Sequence, residues 1–282
     1  MEKADTILMG GTVVTMNAAF DIIPDGALAV RGTDIVAVGA RADVLAQYRS
    51  DRTIDCGGGI IMPGLVNAHT HVPMTLLRGL ADDLRLDVWL YGYIMPTERE
   101  FVNPEFCRLG TGIACAEMIR SGITSFADMY YFEADVAEAT AEAGLRGVLG
   151  ETVLKFPAPD AESYEDSLAY CRGFIEKWHE NHPLITPAVA PRAVLADRGM
   201  LTRCVDLARE FDVPLLIHLA ETRHRNREQP ERIRLDRHHP HGQAGLVRRE
   251  SAGCPLRPRR PERNTSCTTP TRPSLTVEEP AT

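Results

Sequence analysis

Apolar and polar positions alternate weakly from Thr6 to Met16, a stretch rich in Thr, Val and Ile, which predicts a strand. Two shorter runs, Ala27 to Val30 and Asp34 to Val38, flank the turn signal Arg31-Gly32-Thr33, and Thr53 to Asp55 reads as one more. Residues 1–62 therefore read as a small β-sheet unit. From Gly64 the pattern changes to short apolar runs alternating with helical periodicity, which argues for a parallel sheet with helical crossovers. Strands are predicted at Leu65 to His71, Ile123 to Asp128, Leu145 to Gly150, Leu184 to Ala190 and Val213 to Leu219. Helices are predicted over Glu105 to Ser121, Glu133 to Ala143, Ser163 to Asn181 and Met200 to Phe211, with Asn103-Pro104 as a start signal and Gly122 and Gly144 as stops. Five such units in residues 63–221 keep the pace of a barrel of about 250 residues. The expected class is α/β, an incomplete (β/α)8 TIM-type barrel with about five of its eight units.

After Glu221 the regularity stops. Residues 222–282 have no Phe, Tyr or Trp and no apolar periodicity, and they hold eight of the 19 prolines. Charge divides at the same point. Residues 1–221 carry 18 Lys+Arg against 32 Asp+Glu, whereas residues 222–282 carry 13 Arg, no Lys and seven acids. The whole chain of 282 residues has a net charge of −8, which argues against a nucleic-acid partner. No apolar run approaches membrane length and the first residues lack a secretory pattern. Seven cysteines without Cys-x-x-Cys spacing fit a reducing compartment, so a cytoplasmic location without disulfides is expected.

Candidate chemistry centres on Pro63-Gly-Leu-Val-Asn-Ala-His-Thr-His71. In a strand, His69 and His71 point to one face, and two imidazoles at a strand's end can take one divalent metal. His218 is the polar residue of a second buried-strand run, Pro214-Leu-Leu-Ile-His-Leu-Ala-Glu221, and is a candidate third ligand. Glu221 lies three residues on, either as a proton carrier or as an acid at a helix N-terminus.

The run ending at His71 resembles the first barrel strand of the amidohydrolase superfamily. The longer stretch from His69 to Glu98, HTHVPMTLLRGLADDLRLDVWLYGYIMPTE, is similar to the subgroup holding methylthioadenosine/S-adenosylhomocysteine deaminases and triazine hydrolases. The resemblance covers about residues 5–221. It implies that residues 1–62 form half of a composite β-sandwich and that His69, His71 and His218 hold one catalytic metal, zinc or alternatively Fe2+. It implies that Glu221 shuttles a proton from metal-activated water, whose pKa falls to about 7, to the leaving amine. Glu98 is then expected to bind the ribose hydroxyls of a nucleoside, with a plain surface acid as the alternative, and Trp89 to line the pocket or simply pack. The missing Lys in Leu184 to Ala190 points to a mononuclear site and deamination. The implied substrate is a small molecule, such as methylthioadenosine or S-adenosylhomocysteine. Guanine-type deaminases and chlorotriazine hydrolases share the same signals. A homo-oligomer is possible in the intact parent.

Two departures from the family pattern stand out. Arg192 follows Pro191 where the family has a substrate-contacting histidine, so that role is not carried over to it. The strand-eight Asp of mononuclear relatives has no counterpart in residues 222–282: Asp236 sits in an Arg/His-rich stretch, and His238, His239 and His241 form only an adventitious metal cluster. One reading makes residues 222–282 a disordered basic tail. The other makes them out of frame: a back-translation of Gly253 to Pro261, shifted by one nucleotide, gives Asp-Ala-His-Cys-Val-His-Val-Asp, similar to the family's sixth strand. Nucleotides lost after Pro191 and before Met200 would likewise account for residues 192–199, with a genuine His-to-Arg difference as the alternative. Five barrel strands without the last ligand would leave two open edges. On that basis the polypeptide alone is expected to hold metal weakly and to lack deaminase activity, unless a second chain completes it.

Overall fold

The computed structural model describes residues 1–192, 198–218 and 245–247. Two compact units divide the chain, Met1–Leu65 and the residues from Val66 onward.

In the first unit β1 (Glu2–Lys3) precedes β2 (Thr6–Val14), the central strand. β3 (Ile22–Arg31) pairs antiparallel with β2, and β4 (Asp34–Ala40) pairs antiparallel with β3. β3 runs longer than the alternation suggested, because Ile22 and Ile23 pair with Val14 and Val13 across a bulged stretch, whereas β2 ends two residues before Met16. α1 (Arg41–Gln47) follows, a helix the sequence reading omitted. β5 (Tyr48–Arg49) pairs with β1, while β6 (Thr53–Asp55) and β7 (Ile60–Ile61) run parallel to β2. Ala4, Ile7, Ala27, Ala29 and Val44 form the core of this unit.

The second unit starts in β8 (Leu65–Thr70), followed at once by a 3-10 turn over Val72–Leu77. The excursion after it is helical: α2 (Leu86–Trp89), a π turn at Leu90–Ile94 and α3 (Met95–Phe101). Trp89 is half-buried at the end of α2. Then come α4 (Pro104–Arg120), β9 (Ile123–Tyr130), α5 (Glu133–Ala143), β10 (Arg146–Val153), α6 (Tyr164–Trp178), β11 (Ile185–Pro191), α7 (Arg198–Glu210) and β12 (Leu215–Ile217). The start signal at Asn103 is present as a cap, and Ser163, expected as the first helical residue, caps α6 instead. Asn103 and Ser163 accept hydrogen bonds from the amides of Phe106 and Asp166 at the starts of α4 and α6. Gly144 takes the left-handed conformation, φ 77°, that ends α5.

The five strands β8 to β12 lie side by side in chain order, with β9, β10, β11 and β12 paired in parallel, so the sheet is a half-barrel. Its helix-facing side buries Phe126, Leu149, Val136 and Phe174 in one cluster, and Ile175, Val189, Leu207 and Leu215 in another. Each such side chain contributes roughly 1.5–3 kcal/mol on burial.

The expectation of no regular element after Glu221 is corrected at one place. β13 (Gly245–Val247) pairs antiparallel with β12, from Leu215↔Val247 to Ile217↔Gly245. An open strand edge presents unpaired backbone donors and acceptors, which an extended segment satisfies in either direction. That edge is therefore covered rather than raw. The candidates Glu221, Asp236, His238, His239 and His241 lie outside the described residues.

Candidate metal centre

His69 sits within β8, one residue from its end, and His71 directly follows that strand as the residue before the 3-10 turn. His218 directly follows β12. Both strand ends are the carboxyl ends of the same sheet, where barrel enzymes place their chemistry. The structure brings the three rings together. Their centroids are 5.2 Å (His69 to His71), 5.0 Å (His69 to His218) and 5.4 Å (His71 to His218) apart. One nitrogen from each lies within 4.8 Å of the other two. Among the described residues this is the one group of three or more His, Cys, Asp or Glu side chains able to share an ion.

The neighbouring strand holds the His-x-His turn in place. Thr70 Oγ1 donates to the Ala127 carbonyl at 2.8 Å and to Asp128 Oδ1 at 2.5 Å. The Val72 amide donates to the same Oδ1 at 2.7 Å. Between them, His71 Nδ1 donates to the Met129 carbonyl at 2.6 Å. That bond selects the tautomer whose Nε2 lone pair is available. Burial pushes the His71 pKa down to about 4, and the charges of His69 and Arg192 act in the same direction. The ring is therefore neutral at pH 7, the form a metal needs. A set of three imidazoles with a neutral, oriented His71 fits a borderline divalent ion such as zinc.

Glu98 lies in α3 and is 2 % exposed, so the surface-acid alternative fails. Burial raises its pKa, while the charge of Arg192 and the hydroxyls of Tyr130 and Tyr131 favour the carboxylate. Its Oε2 is buried without a hydrogen-bond partner, as is Nη1 of Arg192 at the end of β11. The Arg192 charge is felt at both His71 and Glu98, which places these groups in one electrostatic neighbourhood.

Sequence reasoning missed Asp128, Met129, Tyr130 and Tyr131. Only Asp128 left a signal, as the single acid in the apolar run Phe126-Ala-Asp-Met-Tyr130. A backbone carbonyl such as that of Met129 leaves none.

The profile of the amidohydrolase family matches residues 60–252, reaching past Glu221 into the stretch read as irregular. A 5-methylthioadenosine/S-adenosylhomocysteine deaminase 1 of Syntrophus aciditrophicus is 42% identical over 237 residues, 84% of this chain and 53% of that protein. The 5-methylthioadenosine/S-adenosylhomocysteine deaminase of Syntrophobacter fumaroxidans is 46% identical over 220 residues, 78% of this chain and 50% of that one. Among solved structures, an adenosine deaminase from Xanthomonas campestris with bound zinc superposes with a TM-score of 0.76 at 37% identity, covering 81% of this chain and 52% of that one. A triazine hydrolase of Arthrobacter aurescens shares the fold, with a TM-score of 0.67 at 23% identity over 76% of this chain and 52% of that one. The chain spans about half the length of the curated relatives it matches.

Proposed function

The chain belongs to the amidohydrolase family, whose members are metal-dependent hydrolases, and on that premise we propose that it supplies the metal-binding part of a hydrolytic deaminase. The substrate class is an adenine nucleoside such as 5'-methylthioadenosine or S-adenosylhomocysteine, and the product is ammonia plus the hydroxylated base. The observation that carries this reading is the convergence of His69, His71 and His218 from two distant strands on one point.

His69, His71 and His218 would hold the ion, zinc by preference, with Fe2+ as the alternative. When bound, the ion supplies a Lewis acid that brings water's pKa down to about 7. His71 is oriented for this by its bond to Met129 and stays unprotonated. Glu221 follows His218 by three residues, and its carboxylate would carry a proton to the departing amine. Glu98, with a buried oxygen lacking a partner, would accept hydrogen bonds from a vicinal diol such as that of a ribose. Support for the nucleoside comes from the names of the two curated relatives.

The test is zinc titration followed by ammonia release from methylthioadenosine, S-adenosylhomocysteine and guanine, and by chloride release from a chlorotriazine. With the barrel completed by a second chain, the expected outcome is about one zinc per chain and ammonia from an adenine nucleoside, both lost in His218→Ala; the polypeptide alone is expected to hold zinc weakly and release no ammonia. Zinc binding with turnover of guanine or the triazine alone would overturn the substrate class. A polypeptide that binds no zinc would overturn the metal reading itself.

A further inference from the structure

We propose that Asp128 is a positioning residue for the metal centre: one oxygen of its carboxylate fixes the His69-Thr70-His71 turn from behind. The inference rests on the proposed metal role of the three histidines.

Asp128 is fully buried, and its Oδ1 is the shared acceptor for Thr70 Oγ1 and the Val72 amide. These two donors flank His71. Together with the Met129 carbonyl they hold residues 70, 71 and 72 to three consecutive residues of β9, Ala127 to Met129. The direction of the His71 ring is thus set by β9 from three sides. A ligand held this way loses little freedom when an ion arrives, which is what outer partners of a metal site contribute.

The remaining oxygen, Oδ2, has no donor, and neither oxygen of Glu133 has one, although Glu133 is fully buried as well. Burial raises the pKa of both carboxyls, and each acts on the other's protonation. Among the described residues no Lys or Arg forms an ion pair with either. Burial without a neighbouring cation favours the protonated form of both carboxyls. The pair is not a second metal site, since the histidine triad is the one such cluster among the described residues.

Asp128→Asn and Asp128→Ala separate this role from plain packing. In Asp128→Asn the amide oxygen can still accept from Thr70 and Val72, and the amide nitrogen can donate to Glu133. Zinc affinity is expected to stay within about threefold of the parent. In Asp128→Ala it is expected to fall about 10–100-fold, and the visible bands of the cobalt-substituted protein should change shape. Thr70→Val, which removes one donor while keeping the side-chain shape, should lower affinity about fivefold and stands in if Asp128→Ala does not fold. Ile175→Ala, in the cluster against α7, controls for lost stability: it should lower Tm without changing zinc affinity or the cobalt spectrum. Unchanged affinity and spectrum in Asp128→Ala, or in Thr70→Val where the former does not fold, would overturn the proposal. Failure of the parent protein and His218→Ala alike to bind zinc or cobalt would locate the failure in the metal reading, and the positioning role would fall with it.

Discussion

His71 Nδ1 donates to the Met129 carbonyl at 2.6 Å, and that one bond decides which nitrogen faces His69 and His218. The pKa of about 4 means that proton competition at this ligand begins only near pH 4, so zinc should stay on His71 at pH 5.5 as at pH 7. His71→Ala removes the oriented donor. Zinc affinity is expected to fall at least about a hundredfold, measured by competition with a chelator of known affinity.

Gly110 gives the same turn its seat on α4. A Cβ added there would lie 2.5 Å from the Pro73 carbonyl oxygen and 2.8 Å from Pro73 Cα, a backbone clash two residues beyond His71. Gly110→Ala must push the 3-10 turn away. The expected cost is about 1–3 kcal/mol of stability, and zinc binding should weaken although no ligand is touched. Thermal melts with and without zinc read both effects. A fully stable variant with unchanged zinc affinity would mean that the turn yields freely.

The order of strands and helices was legible because each signal is local. The run from Leu65 to His71, the Asn103 and Ser163 caps and the Gly144 stop all act within one turn or one strand. Boundaries moved where tertiary pairing took over. β10 runs on to Val153 because its last residues pair with Ala190 and Pro191 of β11, which no local pattern announces. α1 escaped notice because seven residues carry too little periodicity to register. The edge pairing of β13 escaped because three residues carry none.

The three histidines that converge were legible by type and spacing. The groups that orient them were not. Met129 acts through its backbone, and Asp128, Glu133 and Glu151 read as scattered acids until β9 and β10 bring them together. Their chemistry depends on burial, which the sequence states only indirectly.

Glu133 makes that burial measurable. Its amide donates to Glu151 Oε2, and burial beside Asp128 raises the Glu133 pKa well above the ordinary value of 4.5. Glu151 is raised in the same way, by burial and by Asp160. All the neighbours named are acids. The fold therefore keeps protons that the unfolded chain releases. Stability is fullest below about pH 4.5 for these groups and falls as pH rises toward their folded pKa values. Glu133→Gln cannot ionise, so its Tm should exceed the parent's at pH 8 and match it at pH 4.5. The gain should be a few degrees, at about 2–4 °C per kcal/mol for a domain of this size. Equal Tm differences at both values would contradict a Glu133 pKa raised by burial.

Glu98→Gln separates binding from chemistry. The site is buried, and a neutral amide of the same shape relieves the desolvation that raises the Glu98 pKa, so Tm should not fall. Each hydrogen bond from a sugar hydroxyl to a carboxylate is worth about 1.5–3 kcal/mol, against about 0.5–1.5 kcal/mol for a neutral acceptor. The KM for a nucleoside should rise roughly 10–100-fold with kcat nearly unchanged. A free base such as guanine, which has no diol, should be indifferent to the change. A fall in kcat with constant KM would move Glu98 from binding to the reacting end of the substrate.

Glu221→Gln tests the reacting end directly. A carboxylate that carries a proton between water and the leaving amine contributes about 10²–10⁴-fold to the rate. An amide of the same size keeps any capping or packing role and loses only the proton transfer. The proposed function therefore expects kcat to fall by that factor while zinc affinity and KM stay near those of the parent. A helix N-terminal acid would behave differently. Its loss would cost about 0.3–1 kcal/mol of stability and leave kcat alone. Ammonia release at saturating methylthioadenosine, read beside a melting curve of the same preparation, tells the two apart.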